Sequence, residues 1–264
     1  MNAANTANTA KLQLAAVSGV PEIRRGDDLG ALTADALRTG SGDLGTPRDG
    51  DIIVIAQKVI SKAEGRSVPI SELTPGDRAV ELAAATDKDP RLVQAILNES
   101  ERVVRAKPGV LIVETHHGFI CANAGIDRSN VPGDDSLLLL PIDPDESARK
   151  LRRSLQDDFG AVLGVIVTDS FGRAWRVGQQ DVAIGCAGVQ PVVDLRGEVD
   201  NHGRELSATL EPVADVIAAA ADLARGKSSR EPIVVVRGLA DLVTAEDGPG
   251  AVELLRESTL DLFK

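Results

Sequence analysis

Residues 163–185 (LGVIVTDSFGRAWRVGQQDVAIG) constrain the fold more than any other stretch: an apolar, β-branched run stops at Thr168-Asp169-Ser170 and turns through Gly172 into Arg173, Trp175 and Arg176. A run of this kind is a strand buried inside a sheet. It brings a carboxylate, a hydroxyl and two guanidinium groups to the strand end, where open α/β sheets bind ligands. Shorter apolar runs at 51–56 (DIIVIA) and 233–237 (IVVVR), separated by helical patterns, place the chain in the α/β class, of the mixed α+β kind.

At 264 residues the chain is long enough for one large domain or two closely joined lobes. Aromatic residues make up only 2% with no Tyr, so Ala, Val, Leu and Ile must build the core. A formal charge of −11 argues against a broad basic face, and with it against a nucleic-acid binder. An anionic ligand then needs a local cluster of Lys and Arg or a bound cation; screening over about 8 Å lets such a cluster rule one cleft. No stretch approaches the length of a membrane span, and the polar start 1–10 (MNAANTANTA) lacks signal-peptide character and reads as a disordered tail. Cys121 and Cys186 lack metal-type spacing and read as reduced core thiols, which suits a cytoplasmic protein.

Strands are expected at 11–17, 51–56, 109–114, 119–122, 136–140, 161–168 and 233–237, with short extended pieces near 180–186 and 190–195. Helices are expected over 27–37, after Thr74-Pro75, after Asp89-Pro90 and from Asp143-Pro144 to about Asp158. Two more follow, from about Glu205 to Arg225 and from Ala251 to Leu262. The helix start at Asp143 also marks a seam between lobes near 141–146, inside a domain spanning 11–264.

Two motif look-alikes fail on context. Gly40-Ser41-Gly42-Asp43-Leu44-Gly45 matches G-x-G-x-x-G but follows a helix and precedes a strand, the reverse of a dinucleotide fingerprint. Gly226-Lys227-Ser228 resembles the end of a P-loop, yet Ala221 stands where a glycine is needed and a helix leads in. His116 and His117 are adjacent and so point to opposite faces of an extended segment; with His202 alone elsewhere, a zinc site or a Ser-His-Asp triad is not expected.

What remains is Asp127 and Asp169, each in a turn after apolar strand sequence. Two carboxylates are the protein's usual share of a Mg²⁺ or Mn²⁺ site that leaves its other positions to water and phosphate oxygens. The same pattern also allows Asp127 simply to cap its own turn. Lys58, Lys62, Arg66, Arg128, Arg173 and Arg176 all lie near strand ends, where they either gather on a phosphate group or stay as solvated surface charges.

Taken in series, SGVPEI (18–23), QKVISKAEGR (57–66), DPRLVQAILNES (89–100), NAGIDRSN (123–130) and TDSFGRAWRVGQ (168–179) resemble the coenzyme F420:L-glutamate ligase family, from about Lys11 to about Leu242. The resemblance implies an unusual α/β fold assembled as an intertwined homodimer. It implies a GTP-dependent ligase that adds L-glutamate to the deazaflavin coenzyme precursor through an acyl phosphate, releasing GDP and phosphate. Mg²⁺ or Mn²⁺ is the implied cofactor, with K⁺ allowed as well. GTP, L-glutamate and the coenzyme F420 precursor are the implied small-molecule partners, with no nucleic acid and no membrane.

Carried over by position, Asp127 and Asp169 match the family's metal ligands, and Ser170 stands where a Thr or Ser helps hold a second ion. Gly19, Val20, Pro21, Glu22, Gln57, Lys62 and Asn130 match nucleotide contacts. The loop after the long helix touches nucleotide and metal in relatives, which brings in Gly226 and Lys227, the latter standing where some members carry a glutamine ligand. Lys62, Arg173 and Arg176 are the expected catalytic cations, the two arginines holding the acceptor carboxylate or the glutamate. Relatives in actinobacteria often carry a further nitroreductase-like domain, so a free-standing ligase and part of a longer protein both fit. Two other readings stay open: a nucleotide- or deazaflavin-binding module without catalysis, and a ligase that glutamylates another carboxylate.

Overall fold

Apolar, β-branched segments pair into the sheet that organises the chain. The computed structural model describes residues 11–128, 135–226 and 230–261; the expected tail at 1–10 lies outside them. In chain order the elements are β1 (Gln13–Ala16), α1 (Leu29–Gly40), β2 (Ile52–Ala56), α2 (Gln57–Ala63), β3 (Ser67–Pro69), α3 (Asp77–Thr86), α4 (Pro90–Asn98), β4 (Ser100–Lys107), β5 (Val110–Thr115) and β6 (Ile120–Ala122). They continue as β7 (Ser136–Leu138), α5 (Pro144–Phe159), β8 (Gly164–Arg173), β9 (Arg176–Ala187), β10 (Val193–Asp194), β11 (Leu210–Glu211), α6 (Val213–Arg225) and β12 (Ile233–Arg237). The fold is mixed α/β, as the sequence patterns imply.

The main sheet runs β1-β12-β2-β8-β9, with β2 and β8 parallel and the other neighbours antiparallel. Side chains alternate across a strand, and the central strands are apolar on both faces because each face is covered. Ile53, Ile55, Val165, Val167, Ile233 and Val235 face α1 and α5, whose Leu37, Leu151 and Leu155 complete that layer. Ile52, Val54, Ile166, Val234 and Val236 face the other way, against Ala214, Ile217 and Ala221 of α6. The small Ala face of α6 lets it lie close to the strands. A second core, including Leu82, Val93, Ile96, Leu111 and Val113, forms where α3 and α4 pack against the antiparallel sheet β4-β5-β6.

Capping chemistry sets several helix starts. Asp28, Asp89 and Asp143 each accept a backbone N–H from the first turn of α1, α4 and α5. Thr74 does not do this for α3, which starts after Gly76 without a side-chain cap.

Four expectations need correction. The strand through 161–168 does not stop at Thr168: β8 continues to Arg173 and turns back as the twelve-residue β9 in place of a short piece at 180–186. The long helix begins at Val213, because Pro212 cannot donate a backbone hydrogen bond and Leu210–Glu211 pair with β10. No α-helix spans the described residues 251–261; they make 3₁₀ turns at Ala251–Leu254 and Ser258–Leu260, the Ala251 N–H is taken by Asp145 Oδ1 at 2.7 Å, and the expected end at Leu262 lies outside the described residues. The basic stretch after β2 is the helix α2, and β4 was not expected at all, since most of its side chains are exposed.

Candidate active site

The sheet brings one set of termini to one edge. β1 ends where β12 begins, with Val17 N–H donating to Ile233 O at 2.8 Å, and β2 ends beside them, with Ala56 N–H donating to Pro232 O at 2.9 Å. The parallel pairing of β2 and β8 then sets Ala56 opposite Thr168. The loop after β1, the start of α2 and the Thr168-Asp169-Ser170 segment therefore share the carboxyl edge of the parallel pair, where α/β sheets hold ligands.

Asp169 lies on the α5-facing side of β8. Its carboxyl pKa is pushed up to about 7, first by burial, with the charges of Asp181 and Asp127 adding; the Ser170 N–H and the Lys58 ammonium act the other way. Asp127 reaches the same place from another element. Asn123, Ala124 and Gly125 take φ values of 53°, 57° and 68°, a left-handed turn that is costly above all for Ala124. Gly125 has no alternative there, since a Cβ would meet Leu140 at 2.9 Å. The turn delivers Asp127 into a two-way backbone pair with Leu138, at 3.0 and 2.9 Å, and its carboxylate forms an ion pair with Lys58 of α2.

The opposite side of β8 carries a second network. Thr168 Oγ1 and Ser170 Oγ donate to Asp181 Oδ2 and Oδ1 at 3.0 and 2.6 Å, and Asp181 is also paired with Arg225 at the end of α6. Both members of that pair are buried. The Ser170 side chain thus sits on Asp181, across the strand from Asp169. Among the described residues no group of three or more His, Cys, Asp or Glu side chains is placed to hold a metal ion. An ion at Asp127 and Asp169 would draw its remaining ligands from water and substrate, as Mg²⁺ commonly does.

The nucleotide candidates gather around α2. Gly19, at φ 78°, opens the loop that carries Val20 and Pro21 to Glu22, which is ion-paired with Lys62. Gln57, at the first position of α2, is buried; its Oε1 accepts from Ser61 Oγ at 2.7 Å and its Nε2 has no partner among the described residues. Gly226 ends α6 with φ 63°. Asn130 and Lys227 lie outside the described residues.

Arg173 and Arg176 are placed differently from the other candidates. They pair with each other at the turn of the β8–β9 hairpin, and Arg173 Nη2 donates to Val177 O at 2.8 Å. At roughly 3.3 Å per residue, they stand about 13 Å along the strand from Asp169. Arg66 is also accounted for structurally, donating to Leu140 O at 2.7 Å and to Glu99 at 2.6 Å. Asp181 and Arg225 were not singled out from the sequence; the Asp that starts the apolar half of β9 was the available signal.

The sequence of residues 19–238 matches the model of one protein family, described as F420-0:Gamma-glutamyl ligase. The chain belongs to that family. Among curated relatives, the coenzyme F420:L-glutamate ligase of Methanothermobacter thermautotrophicus is 46% identical over 255 residues, 96% of this chain and 99% of the relative. The protein of the same name from Methanopyrus kandleri is 42% identical over 92% of this chain and 94% of its own. That of Archaeoglobus fulgidus is 46% identical over 87% and 88%. The family match thus spans the loop after β1, α2, the Asp127 turn and the whole β8–β9 hairpin, the elements that assemble the site.

Proposed function

We propose that this chain is a coenzyme F420:L-glutamate ligase that activates the acceptor carboxylate with GTP and a divalent metal. Asp169 carries the reading: a carboxyl group beside two other acids, with a pKa near neutrality, is a place that asks for a cation. Asp127 and Asp169 would hold Mg²⁺ or Mn²⁺, which when bound supplies positive charge to phosphoryl oxygens. Lys58 and Lys62 stand at the same edge, one turn apart on one face of α2, and would hold phosphate oxygens while the Gly19–Glu22 loop and Gln57 hold the nucleotide. In this scheme the γ-phosphoryl group of GTP passes to the acceptor carboxylate. The glutamate amine then displaces phosphate to form the amide. The chain's own share is positioning and charge, since the transferred group needs little covalent help.

The test is incubation with GTP, Mn²⁺, L-glutamate and the coenzyme precursor, followed by mass spectrometry and phosphate release. Products heavier by glutamate residues, with GDP and phosphate formed together, are expected. Tight nucleotide binding without phosphate release would instead mark a binding module, and glutamylation of other acids alone would mark a different acceptor. Buried thiols at Cys121 and Cys186, free of any disulfide, agree with a cytoplasmic setting.

A homodimer completes the proposal. The β8–β9 hairpin beyond Asp169 holds Trp175 78% and Val177 97% exposed, apolar surface that a second copy would cover. Such a contact would also carry Arg173 and Arg176 away from solvent. Trp175→Ser is expected to shift the protein toward monomer in light scattering at micromolar concentration. A variant that keeps the wild-type mass would remove the hairpin from the interface.

A further inference from the structure

The chain has four Phe, one Trp and no Tyr, yet two of its Phe rings and one His form a single stack. His117 and Phe119 lie nearly parallel with centroids 5.4 Å apart, and Phe119 meets Phe171 edge-on at 5.9 Å. Phe171 is two residues beyond Asp169 on the same side of β8, so the stack leads outward from the candidate active site. It ends in a cleft of about 460 Å³, within the range of small-molecule sites. Ile142, Ile184, Val252 and Leu255 line the cleft with the two rings, and Ile142 is 75% and Val252 57% exposed, apolar side chains facing water at its mouth.

His117 adds a polar requirement. Its Nε2 lies 2.8 Å from Pro141 O, and a carbonyl only accepts, so Nε2 carries the proton and the neutral ring has Nδ1 as acceptor. That Nδ1 is buried and has no donor among the described residues. A buried acceptor left unmet is costly, and a ligand donor reaching it past the exposed Ile142 or Val252 would remove the cost. Asp143 and Asp145 line the cleft together with Arg149 and His116, so among the described residues the lining offers an anionic group no surplus of positive charge.

We propose that this cleft seats a flat, uncharged heteroaromatic ring with an N–H or O–H at its edge, and that this ring is the one carried by the acceptor substrate. The second clause rests on the ligase reading; the first does not. A purine base has the same chemistry, but the sheet order separates the two sources. The Gly19–Glu22 loop and Gln57 belong to β1, β2 and α2, on one side of Asp169, whereas the cleft lies beyond β9 at the start of α5, on the other.

The probe is 5-deazariboflavin, which has the ring but neither an acceptor carboxylate nor a phosphate, followed by its own fluorescence. Wild-type protein is expected to bind it, and saturating GTP is expected not to displace it. Ile142→Asp and Val252→Asp, changes at exposed positions, should each weaken it at least tenfold while GTP affinity stays within twofold. Unchanged probe affinity in both variants, displacement by GTP, or no binding to the wild type at probe saturation would each overturn the proposal. Failure of the ligase reading looks different: no phosphate release with the full substrate set, in a protein that still binds the ring.

Discussion

Asp169→Asn is expected to lower turnover on the order of a thousandfold while leaving the fold intact, because an amide matches the carboxylate in shape but cannot supply the charge a divalent ion needs. The effect should fall on kcat at saturating metal and nucleotide. Ser170→Ala, by contrast, removes only a hydroxyl that bonds to Asp181 at 2.6 Å on the far side of the strand. Near wild-type turnover in Asp169→Asn, measured as phosphate release, would remove Asp169 from the metal site.

The same residue sets a pH signature. An unfolded Asp ionises near 3.8, whereas in the folded chain Asp169 keeps its proton up to about 7, chiefly because of burial. Between those values the folded state holds a proton that the unfolded state has released, so this group makes stability fall as pH rises from about 4 to 7 and level off above. Asp169→Asn abolishes that slope and should unfold at a higher temperature than the wild type at pH 8. Metal binding must expel the proton, so Mn²⁺ affinity in the wild type should drop about tenfold per pH unit below 7. Titration calorimetry at pH 6, 7 and 8 in buffers of different ionisation enthalpy reads both the affinity and the released proton; an affinity flat across that range would contradict the assignment.

The central strands were legible because full burial on both faces leaves an unbroken apolar run: 51–56 and 233–237 coincide with β2 and β12 within a residue, and 161–168 covers the buried first half of β8. Helix starts at Asp89 and Asp143 were legible for a local reason, since cap and proline are neighbours in sequence. The β8–β9 arm was not. Its outer half is exposed and polar, with Gln179, Gln180, Arg173 and Arg176 giving none of the apolar alternation that marks a half-buried strand. Its register hid Asp181 as well. Continued from the Arg173–Arg176 pair, a regular ladder would set Ser170 against Gln179, but an irregularity past Gly172 moves the partner to Asp181. Only that shift puts the buried carboxylate between Thr168, Ser170 and Arg225, and single-sequence periodicity carries no trace of it.

The convergence of Asp127 and Asp169 was legible in a weaker sense. Each stood out as an acid in a small-residue turn, but the turn that aims Asp127 depends on three successive left-handed residues, and Ala124 in the middle has an identity that does not favour that backbone. Tertiary contacts impose it: Leu140 crowds Gly125 and Leu138 pairs with Asp127 on both sides. Propensity rules read such a segment as an ordinary loop. The strain sits beside the candidate metal site, where a preorganised carboxylate has the most to offer.

The largest loss of stability is expected at the other end of the sheet. Arg237, the last residue of β12, makes a two-pronged bond to Asp51 through Nε and Nη2 at 2.8 and 2.6 Å, and also donates to Leu44 O at 2.7 Å. Asp51 is 1% exposed and Arg237 8%, so neither charge has water to fall back on. Arg237→Met removes one partner and strands the other, which typically costs about 3–5 kcal/mol. Changing both, in Asp51→Leu/Arg237→Met, removes the stranded charge and should recover most of the loss, because a buried pair is worth little against packed apolar groups of similar size. Urea unfolding should show the midpoint fall in the single variant with the slope unchanged. Catalysis by the fraction still folded should stay near wild type, since β12 runs antiparallel to β2 and its end lies at the edge opposite Ala56 and Thr168. A single variant within 1 kcal/mol of wild type would mean that water or a neighbouring group already neutralises Asp51, and the pair would lose its place in holding β12 against β2.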